Sequence, residues 1–562
     1  MAIDIENSVS MATASNPSPA NARSAGDFRI GHQTGARVMR FFAKLGLGLI
    51  TAALWSSSLP EPDLGWIGWV ALVPLIIACH NISPLAAAAV GFVSGLGTAY
   101  GMLHWIFEVP GFGLQHSLLA ASYLALYPAC WCAGVSLMSR ACIMTAFPAA
   151  ALWVLLDYVR AHAGFLAFSW GTLAHTQHRN LPLLQLATIT GEYGVTFMVV
   201  FGSVALAGII VQRAWRAAAF AAIVVALAHI GGAFALQAAA RGTMVRLAAV
   251  QPNIQRGEQA TPEGRIAIFE RLERLTHAAA AQHPSLIAWP ETAIAGNLQA
   301  NPLLAADLQG LAQETGTPIV LGVSEVEKFA SRDPTGTSRR RTYNSAYLVS
   351  PGEQLPPPYR KRVLLPFGEY VPLETIVPWP EWMSGKGFDS EAGGPFRLFT
   401  LPDGTSFATM ICWESLFSDL SRESVQAGAR LLVQLNNPAW FGHSAAAKQQ
   451  NISSVLRAAE NRVPVLLSSN TGPSQIIDRY GRVIARTSES FATGIAAGEV
   501  ELGTGGTPYT QVGDCFVLGL FSALIIGVIR HVTIKPTASV VTLRTRRNVM
   551  QTRSNSMEEI CT

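Results

Sequence analysis

Between residues 40 and 238 the chain is almost free of charge, and apolar stretches follow one another with only short breaks. A helix needs about 20 mostly apolar residues to cross a bilayer, where every backbone N–H and C=O must be bonded within the segment. Such stretches lie near 40–58, 64–80, 84–107, 114–138, 142–159, 183–212 and 215–238. An eighth lies near 514–531 and contains CFVLGLFSALIIGVI. Any single run also reads as a buried core helix, but eight of them around one charged block read as membrane spans. The first two are short and broken by Pro60 and Pro62, which suits a tight hairpin.

The remaining composition divides the chain. Only 14% of residues are charged, against about 25% in an ordinary soluble protein. The mean hydropathy of +0.30 excludes a wholly disordered chain. A net charge of +4 without a long basic run argues against nucleic acid as a partner. Residues 1–36 are small and polar and read as a disordered arm. Residues 37–240 read as a bundle of about seven spans, 241–510 as an ordinary α/β domain, 511–532 as a last span and 533–562 as a polar tail. The first run begins after a long polar arm and has no clear small-residue cleavage site, so it does not read as a cleavable signal.

Loop charges orient the spans, because cytoplasmic loops carry an excess of Lys and Arg. Arg37, Arg40, Lys44, Arg140, Arg213, Arg216 and the basic residues after 529 fall on one side. The loops at 59–63 and 108–113 carry no Lys or Arg, while Arg160 and Arg179 are exceptions. Both termini are therefore expected in the cytoplasm and 241–510 outside it, which in a bacterium is the periplasm.

Within 241–510 strands alternate with helices, as α/β layers require. VRLAAVQ (245–251), SLIAWP (285–290), TPIVLGVS (317–324), NSAYLVS (344–350), SFATMICWE (406–414), RLLVQLNN (430–437), VPVLLSSN (463–470) and SQIIDRYGRVIA (474–485) read as strands; 262–282 and 303–314 read as helices. Cys412 is the only cysteine of this block, so it has no partner there for a disulfide. Cys79, Cys130, Cys132, Cys142 and Cys515 lie in or beside spans.

Three polar residues stand at strand ends or in apolar surroundings: Glu291, Lys361 and Cys412. A thiol can attack an acyl carbonyl, a carboxylate can take its proton, and an ammonium can stabilise the tetrahedral oxyanion. Singly, each reads equally as a capping Glu, a solvated Lys or a buried Cys.

WPET, then YRKRVLLPFGEYVP, then CWES, in that order, resembles the Glu-Lys-Cys triad of the nitrilase superfamily. PFGEYVP, NNPAWFG (436–442), RAAENRVPV (457–465) and SNTGPSQIIDRYG (469–481) resemble more narrowly the apolipoprotein N-acyltransferase family. The resemblance covers about 40–531. It implies a multi-pass α-helical membrane bundle carrying an αββα nitrilase-like extracytoplasmic domain in the bacterial inner membrane. It also implies acyl transfer from a phospholipid, usually phosphatidylethanolamine, through a cysteine thioester to the N-terminal S-diacylglyceryl-cysteine of apolipoproteins. No cofactor and no metal are expected.

Carried over, Cys412 is the nucleophile, Glu291 the general base and Lys361 the oxyanion stabiliser. Glu369 is expected to orient the lysine or the substrate amine. Glu414 matches another family glutamate, and would share a face with Cys412 if the strand continued to it, or would cap the next helix. The N–H of Trp413 is the expected second oxyanion donor. Trp440 and Phe441 read as a lipid-contacting lip or as a core pair. His104, Trp105, Glu108 and His116, at the outer ends of spans, read as headgroup contacts or interfacial anchors.

The chain departs from the family pattern at several positions. Trp413 stands where Tyr is more frequent, Pro438 where Asp is usual and Gln449–Gln450 where Gln-His is common, and a Trp usual near Ala260 is absent. These leave open a specialised paralogue with an altered acceptor. Other readings are a membrane-tethered nitrilase-type amidase that uses water, and a non-catalytic transporter or scaffold, which would carry paired charges along its spans.

Overall fold

The computed structural model describes residues 19–140, 146–237, 242–329, 339–383 and 390–534. The first 18 residues of the expected arm and the tail from 535 lie outside the described residues. One helix runs Pro19–Ser57, reaching back from the first span into the stretch expected as an arm. No proline follows Pro19 before the apolar run, and alanine and arginine are frequent, so helix propagates back from the span into the polar stretch.

Among the described residues five helices are long and apolar enough to cross a membrane: Arg37–Ser57, Pro84–Glu108, Leu114–Met138, Glu192–Gln212 and Trp215–Ala235. Gly65–Cys79, Leu181–Thr190 and Cys515–Arg530 are shorter apolar helices, and Ala146–Ala161 adds 16 helical residues. The run expected as one span at 183–212 is interrupted. Gly191 adopts φ 63°, ends the helix Ala187–Thr190 and lets Glu192–Gln212 start in a new direction. Phe220, Ile223, Leu227, Ile230 and Phe234 stay exposed along Trp215–Ala235, as a lipid-facing helix requires.

The second domain is an αββα sandwich, as expected. One sheet runs β13-β1-β2-β4-β5-β6, with β3 paired to β4. Its strands are β1 (Met244–Gln251), β2 (Leu286–Ala288), β3 (Ile294–Ala295), β4 (Ile319–Phe329), β5 (Arg339–Val349), β6 (Tyr359–Arg360) and β13 (Gly494–Glu501). The other runs β12-β11-β10-β9-β8-β7. It comprises β7 (Leu398–Thr400), β8 (Ser406–Ile411), β9 (Leu431–Asn436), β10 (Val465–Ser469), β11 (Gln475–Ile477) and β12 (Val483–Arg486). The central strands β1, β2, β4 and β8, β9, β10 are parallel, hence their nearly continuous apolar sequences. The stretch 474–485, read from sequence as continuing the strand series, is a hairpin of β11 and β12, with Gly481 at φ 86° in its turn.

Leu247, Ala288, Val320, Phe407, Val433 and Leu466 belong to the core between the sheets. Helices Pro262–Ala280 and Pro302–Thr315 cover the first sheet's outer face. Each starts with a proline behind a capping side chain: Thr261 accepts from Gly264 N and Asn301 from Leu304 N. Helices Ser418–Gln426 and Ala446–Asn461 cover the second sheet.

Ala446–Asn461 is buried almost all round. Ile452, Val455, Leu456 and Ala459 face the sheet core. Gln449, Arg457 and Glu460 instead reach the bundle. Gln449 Oε1 accepts from Trp170 Nε1 at 2.8 Å, and its Nε2 donates to Pro60 O at 2.6 Å. Glu460 Oε1 accepts from the N–H of Glu192 at 2.9 Å. The helix face that water would cover in a free sandwich is thus the docking face for the membrane helices.

Candidate active site

Glu291 and Cys412 follow the C-terminal ends of parallel strands, one from each sheet, while Lys361 follows β6, which pairs antiparallel with β5. β8 ends at Ile411, one residue before Cys412 and three before Glu414, so the strand does not continue far enough for the two to share its face, and Glu414 instead caps the turn that follows. Cys412 takes φ 52°, and Cys412–Leu416 coil into a 3-10 turn. A left-handed non-glycine residue costs about 1–2 kcal/mol, so the turn is held by its surroundings. Gln434 Nε2 donates to Cys412 O at 2.9 Å.

Glu291 follows β2 behind Trp289 and Pro290. Trp289 is fully buried and anchored through its Nε1 to Thr276 Oγ1 at 2.9 Å. Thr292 turns the chain at φ 49°. Gly322 of β4 makes the turn possible, because a Cβ there would collide with the backbone of Pro290, Glu291 and Thr292. Lys361 follows the two-residue β6 and is only 1% exposed; its N–H is bonded to Asn344 O at 2.8 Å.

The three side chains meet. Lys361 Nζ lies 3.9 Å from Glu291 Oε1, and the Cys412 thiol interacts with both the Glu291 carboxylate and the Lys361 ammonium. Burial pushes the Glu291 carboxyl above the usual carboxylate range, against the pull of Lys361. Burial and the charge of Glu291 push the Cys412 thiol up. Burial alone would lower Lys361, but Glu369, Cys412 and Glu291 outweigh it and hold the ammonium well above its ordinary value. A base of raised pKa beside a thiol and a permanently charged ammonium is an arrangement for nucleophilic acyl chemistry.

Glu369 Oε1 is 2.8 Å from Lys361 Nζ, and its Oε2 accepts from Leu365 N at 2.7 Å. Glu414 is fully buried and braces two chain segments. Its Oε1 accepts from Tyr359 Oη at 2.8 Å, Arg362 N at 2.7 Å and Val363 N at 3.1 Å; its Oε2 accepts from Ile411 N at 2.8 Å. It ties the lysine-bearing segment to the cysteine turn, and burial raises its carboxyl against those donors. Trp413 is the second residue of the 3-10 turn, within the stretch where N–H groups lack a partner inside the turn. Its ring lies 5.5 Å from Phe168 and 6.5 Å from Trp170, inside the bundle core.

Trp440 and Phe441 separate. Trp440 is 49% exposed, whereas Phe441 packs edge-on against Trp105 at 4.7 Å. His116 Nε2 lies 2.7 Å from Trp382 O, and Glu108 O accepts from Arg256, so these residues hold the domain junction.

Three residues at the site were not singled out as functional from sequence. Asn344 Nδ2 donates to Glu291 Oε1 at 2.6 Å and lies 3.5 Å from Glu369 Oε1. Tyr359 is bonded to Glu414. Gln450 Nε2 lies 3.6 Å from Cys412 Sγ. The available signal was polarity in apolar context: Asn-Ser within the strand YNSAYLV, and three successive amides, Gln449–Asn451, in a buried helix.

Residues 246–507 match the carbon-nitrogen hydrolase family, and residues 51–205 match the apolipoprotein N-acyltransferase N-terminal domain. The chain is 35% identical over 495 residues to an apolipoprotein N-acyltransferase of Geobacter metallireducens, covering 84% of this chain and 92% of the relative. Identity to the apolipoprotein N-acyltransferase of Methylococcus capsulatus is 29% over 483 residues, 82% of this chain and 91% of the relative. Apolipoprotein N-acyltransferase 1 of Treponema pallidum is 29% identical over 536 residues, 86% of this chain and 95% of the relative. The crystal structure of an amidase from Nesterenkonia sp. aligns over 50% of this chain and 97% of its own at 15% identity, with a TM-score of 0.36. Relatives that span both the helical bundle and the αββα sandwich set this chain apart from a tethered amidase: it belongs to the apolipoprotein N-acyltransferase family.

Proposed function

We propose that this chain transfers an acyl group from a phospholipid, with phosphatidylethanolamine the expected donor, to the N-terminal amine of S-diacylglyceryl apolipoproteins. Glu291 takes the thiol proton as Cys412 Sγ attacks the ester carbonyl. Lys361 and the Trp413 N–H hold the oxyanion. The ester C–O bond breaks, the lysophospholipid leaves with the proton from Glu291, and a thioester remains. The α-amino group then attacks, Glu291 takes its proton, and the C–S bond breaks to release amide and thiol.

The observation that carries this reading is the junction at residues 412 and 413. The nucleophile belongs to the sandwich, while the adjoining indole belongs to the membrane core. Both proposed substrates are held in the bilayer by acyl chains, each buried CH₂ contributing about 0.8 kcal/mol. A nucleophile at the bundle surface reacts with them without extracting either. Loop charges support cytoplasmic termini and a periplasmic sandwich.

The test is mass spectrometry of lipoprotein N-termini from cells with and without this protein, together with purified enzyme and labelled phospholipid. A label bound to Cys412 as a hydroxylamine-sensitive thioester, and N-acylated lipoproteins only when the protein is present, are expected. Full activity of Cys412→Ala would remove the mechanism.

A further inference from the structure

Gln450 is 2% exposed and lies on Ala446–Asn461 between two amides that are each committed elsewhere. Gln449 is bonded to Trp170 and Pro60 in the bundle, and Asn451 Nδ2 donates to Pro473 O at 2.8 Å. Successive helical residues point about 100° apart, so pinning both neighbours fixes where Gln450 points. It points at the nucleophile, its Nε2 lying 3.6 Å from Cys412 Sγ.

The sulfur has a reason to need that contact. Burial, Glu291 and Glu369 all disfavour a thiolate, while Lys361 and Gln450 favour it. Lys361 is drawn toward Glu369, 2.8 Å away. An amide N–H differs from the ammonium in having no charge to attract either glutamate, and it donates at every pH.

We propose that Gln450 is a further catalytic residue, which donates its amide N–H to the Cys412 sulfur and stabilises the thiolate in both half-reactions. In the first half-reaction the proton passes from sulfur to Glu291 as the S–C bond forms, and the N–H supports the charge that builds on sulfur. In the second the C–S bond breaks, and the same N–H supports the departing sulfur until Glu291 returns the proton. The second role rests on the acyl-transfer reading above; the contact with the thiol does not. The bundle contacts of Gln449 set the register of the helix that supplies this donor, so membrane-domain packing and nucleophile reactivity are linked through adjacent residues.

The test uses full-length protein in detergent, comparing wild type with Gln450→Met, similar in length without a donor, and Gln450→His, which keeps a ring N–H. Alkylation of Cys412 by iodoacetamide is followed by mass from neutral to alkaline pH. Single-turnover acylation and aminolysis are measured at saturating lipid. A hydrogen bond to a charged group corresponds to about tenfold to hundredfold in rate. Gln450→Met is expected to lose that much in alkylation at neutral pH, with its profile displaced to higher pH. Both half-reactions should slow with KM unchanged, and Gln450→His should recover most of the rate. Gln450→Ala gives the same reading if thermal unfolding shows the Met variant to be misfolded. A wild-type alkylation profile in the donor-free variant overturns the proposal, even if acylation is slow, because the glutamine would then only pack. Alkylation involves no lipid. If wild type forms no thioester from phospholipid while its thiol still depends on Gln450, acyl transfer fails and the contact stands.

Discussion

Arg457 Nη2 lies 2.8 Å from Glu192 Oε2, joining a helix of the sandwich to the first residue of a membrane helix. Arg457 Nε is also 2.8 Å from Glu460 Oε2, and all three side chains are buried. Removing one partner of such a network leaves an uncompensated buried charge, which costs about 3–5 kcal/mol. Arg457→Met is therefore expected to lower the unfolding temperature of the full-length protein markedly. The triple change of Arg457→Met with Glu192→Gln and Glu460→Gln should recover much of the loss. An unchanged unfolding temperature in Arg457→Met would mean that the domains are held together by other contacts.

Glu414 accepts four hydrogen bonds, three from the lysine segment and one from the cysteine strand. Each donor left unsatisfied in the interior costs about 1–3 kcal/mol. Glu414→Ala should fail to accumulate as folded protein. Glu414→Gln keeps one acceptor oxygen and should fold, but with Lys361 and Cys412 misaligned. Its single-turnover acylation should fall about 10–100-fold while phospholipid binding stays close to wild type, since displacements near 1 Å can cost about 100-fold. Acylation at the wild-type rate would leave Glu414 without a role at the site.

The sequence made the layers legible, because parallel strands buried on both faces are apolar throughout and membrane helices are longer than core helices. It also put Glu291 and Cys412 on the page, since each follows an apolar strand, whereas Lys361, between Arg360 and Arg362, stood out only through the motif YRKRVLLPFGEYVP. What it could not supply was the end of β8. SFATMICWE reads as one strand, yet Glu414 bonds back to Ile411 N and turns the chain at Cys412. That bond is tertiary in origin, because Glu414 is positioned by Tyr359 and the Arg362 and Val363 amides. The docking face of Ala446–Asn461 was hidden for a similar reason. Its polar residues look like a solvated helix face until the bundle that covers them is in place.

Gly322 allows β4 to pass against the turn that carries Glu291. A methyl group there meets backbone atoms, which cannot rotate away. Gly322→Ala should displace Glu291 from Cys412 and lower acylation by about 100-fold or more, with Lys361 and its Glu369 contact undisturbed. Intact activity in that variant would show that the Glu291 turn can shift without loss of the base.

Burial raises the Glu291 pKa, which sets two pH effects of opposite value to the enzyme. As the proposed base it works only when ionised, so the acid limb of single-turnover acylation should lie above the ordinary glutamate range. Glu369 contributes to the rise, so Glu369→Gln should move that limb to lower pH. For stability, a carboxyl with a folded pKa above its unfolded value favours folding below the unfolded pKa, and that contribution is lost as pH rises through the folded one. Glu291→Gln should therefore be inactive in acylation yet unfold at a higher temperature than wild type at neutral pH, with the difference vanishing in acid. A Glu291→Gln protein less stable than wild type at neutral pH would mean that Lys361 and Asn344 more than offset the buried charge.

Lys361 is held well above its ordinary pKa, so its contribution to stability is complete below the unfolded value and is lost only as pH rises through the folded one. The ammonium is therefore charged throughout the working range and cannot be the origin of an alkaline limb in neutral or mildly alkaline solution. Its proposed task is to meet the oxyanion, where losing one donor typically costs about 10²–10³-fold. Lys361→Met removes the charge and leaves Glu291 and Glu369 facing one another without a cation, which raises the Glu291 carboxyl further. Lys361→Arg keeps the charge but spreads it over a planar fork that does not match a pocket shaped for a point charge. Both variants should lose most single-turnover acylation of Cys412 at saturating phospholipid while binding the lipid nearly as well as wild type. Lys361→Met alone should also shift the acid limb to higher pH, because the cation that opposed burial at Glu291 is gone. If Lys361→Met acylates Cys412 at the wild-type rate, the oxyanion is held by backbone groups alone and the lysine serves only to keep Glu291 and Glu369 apart.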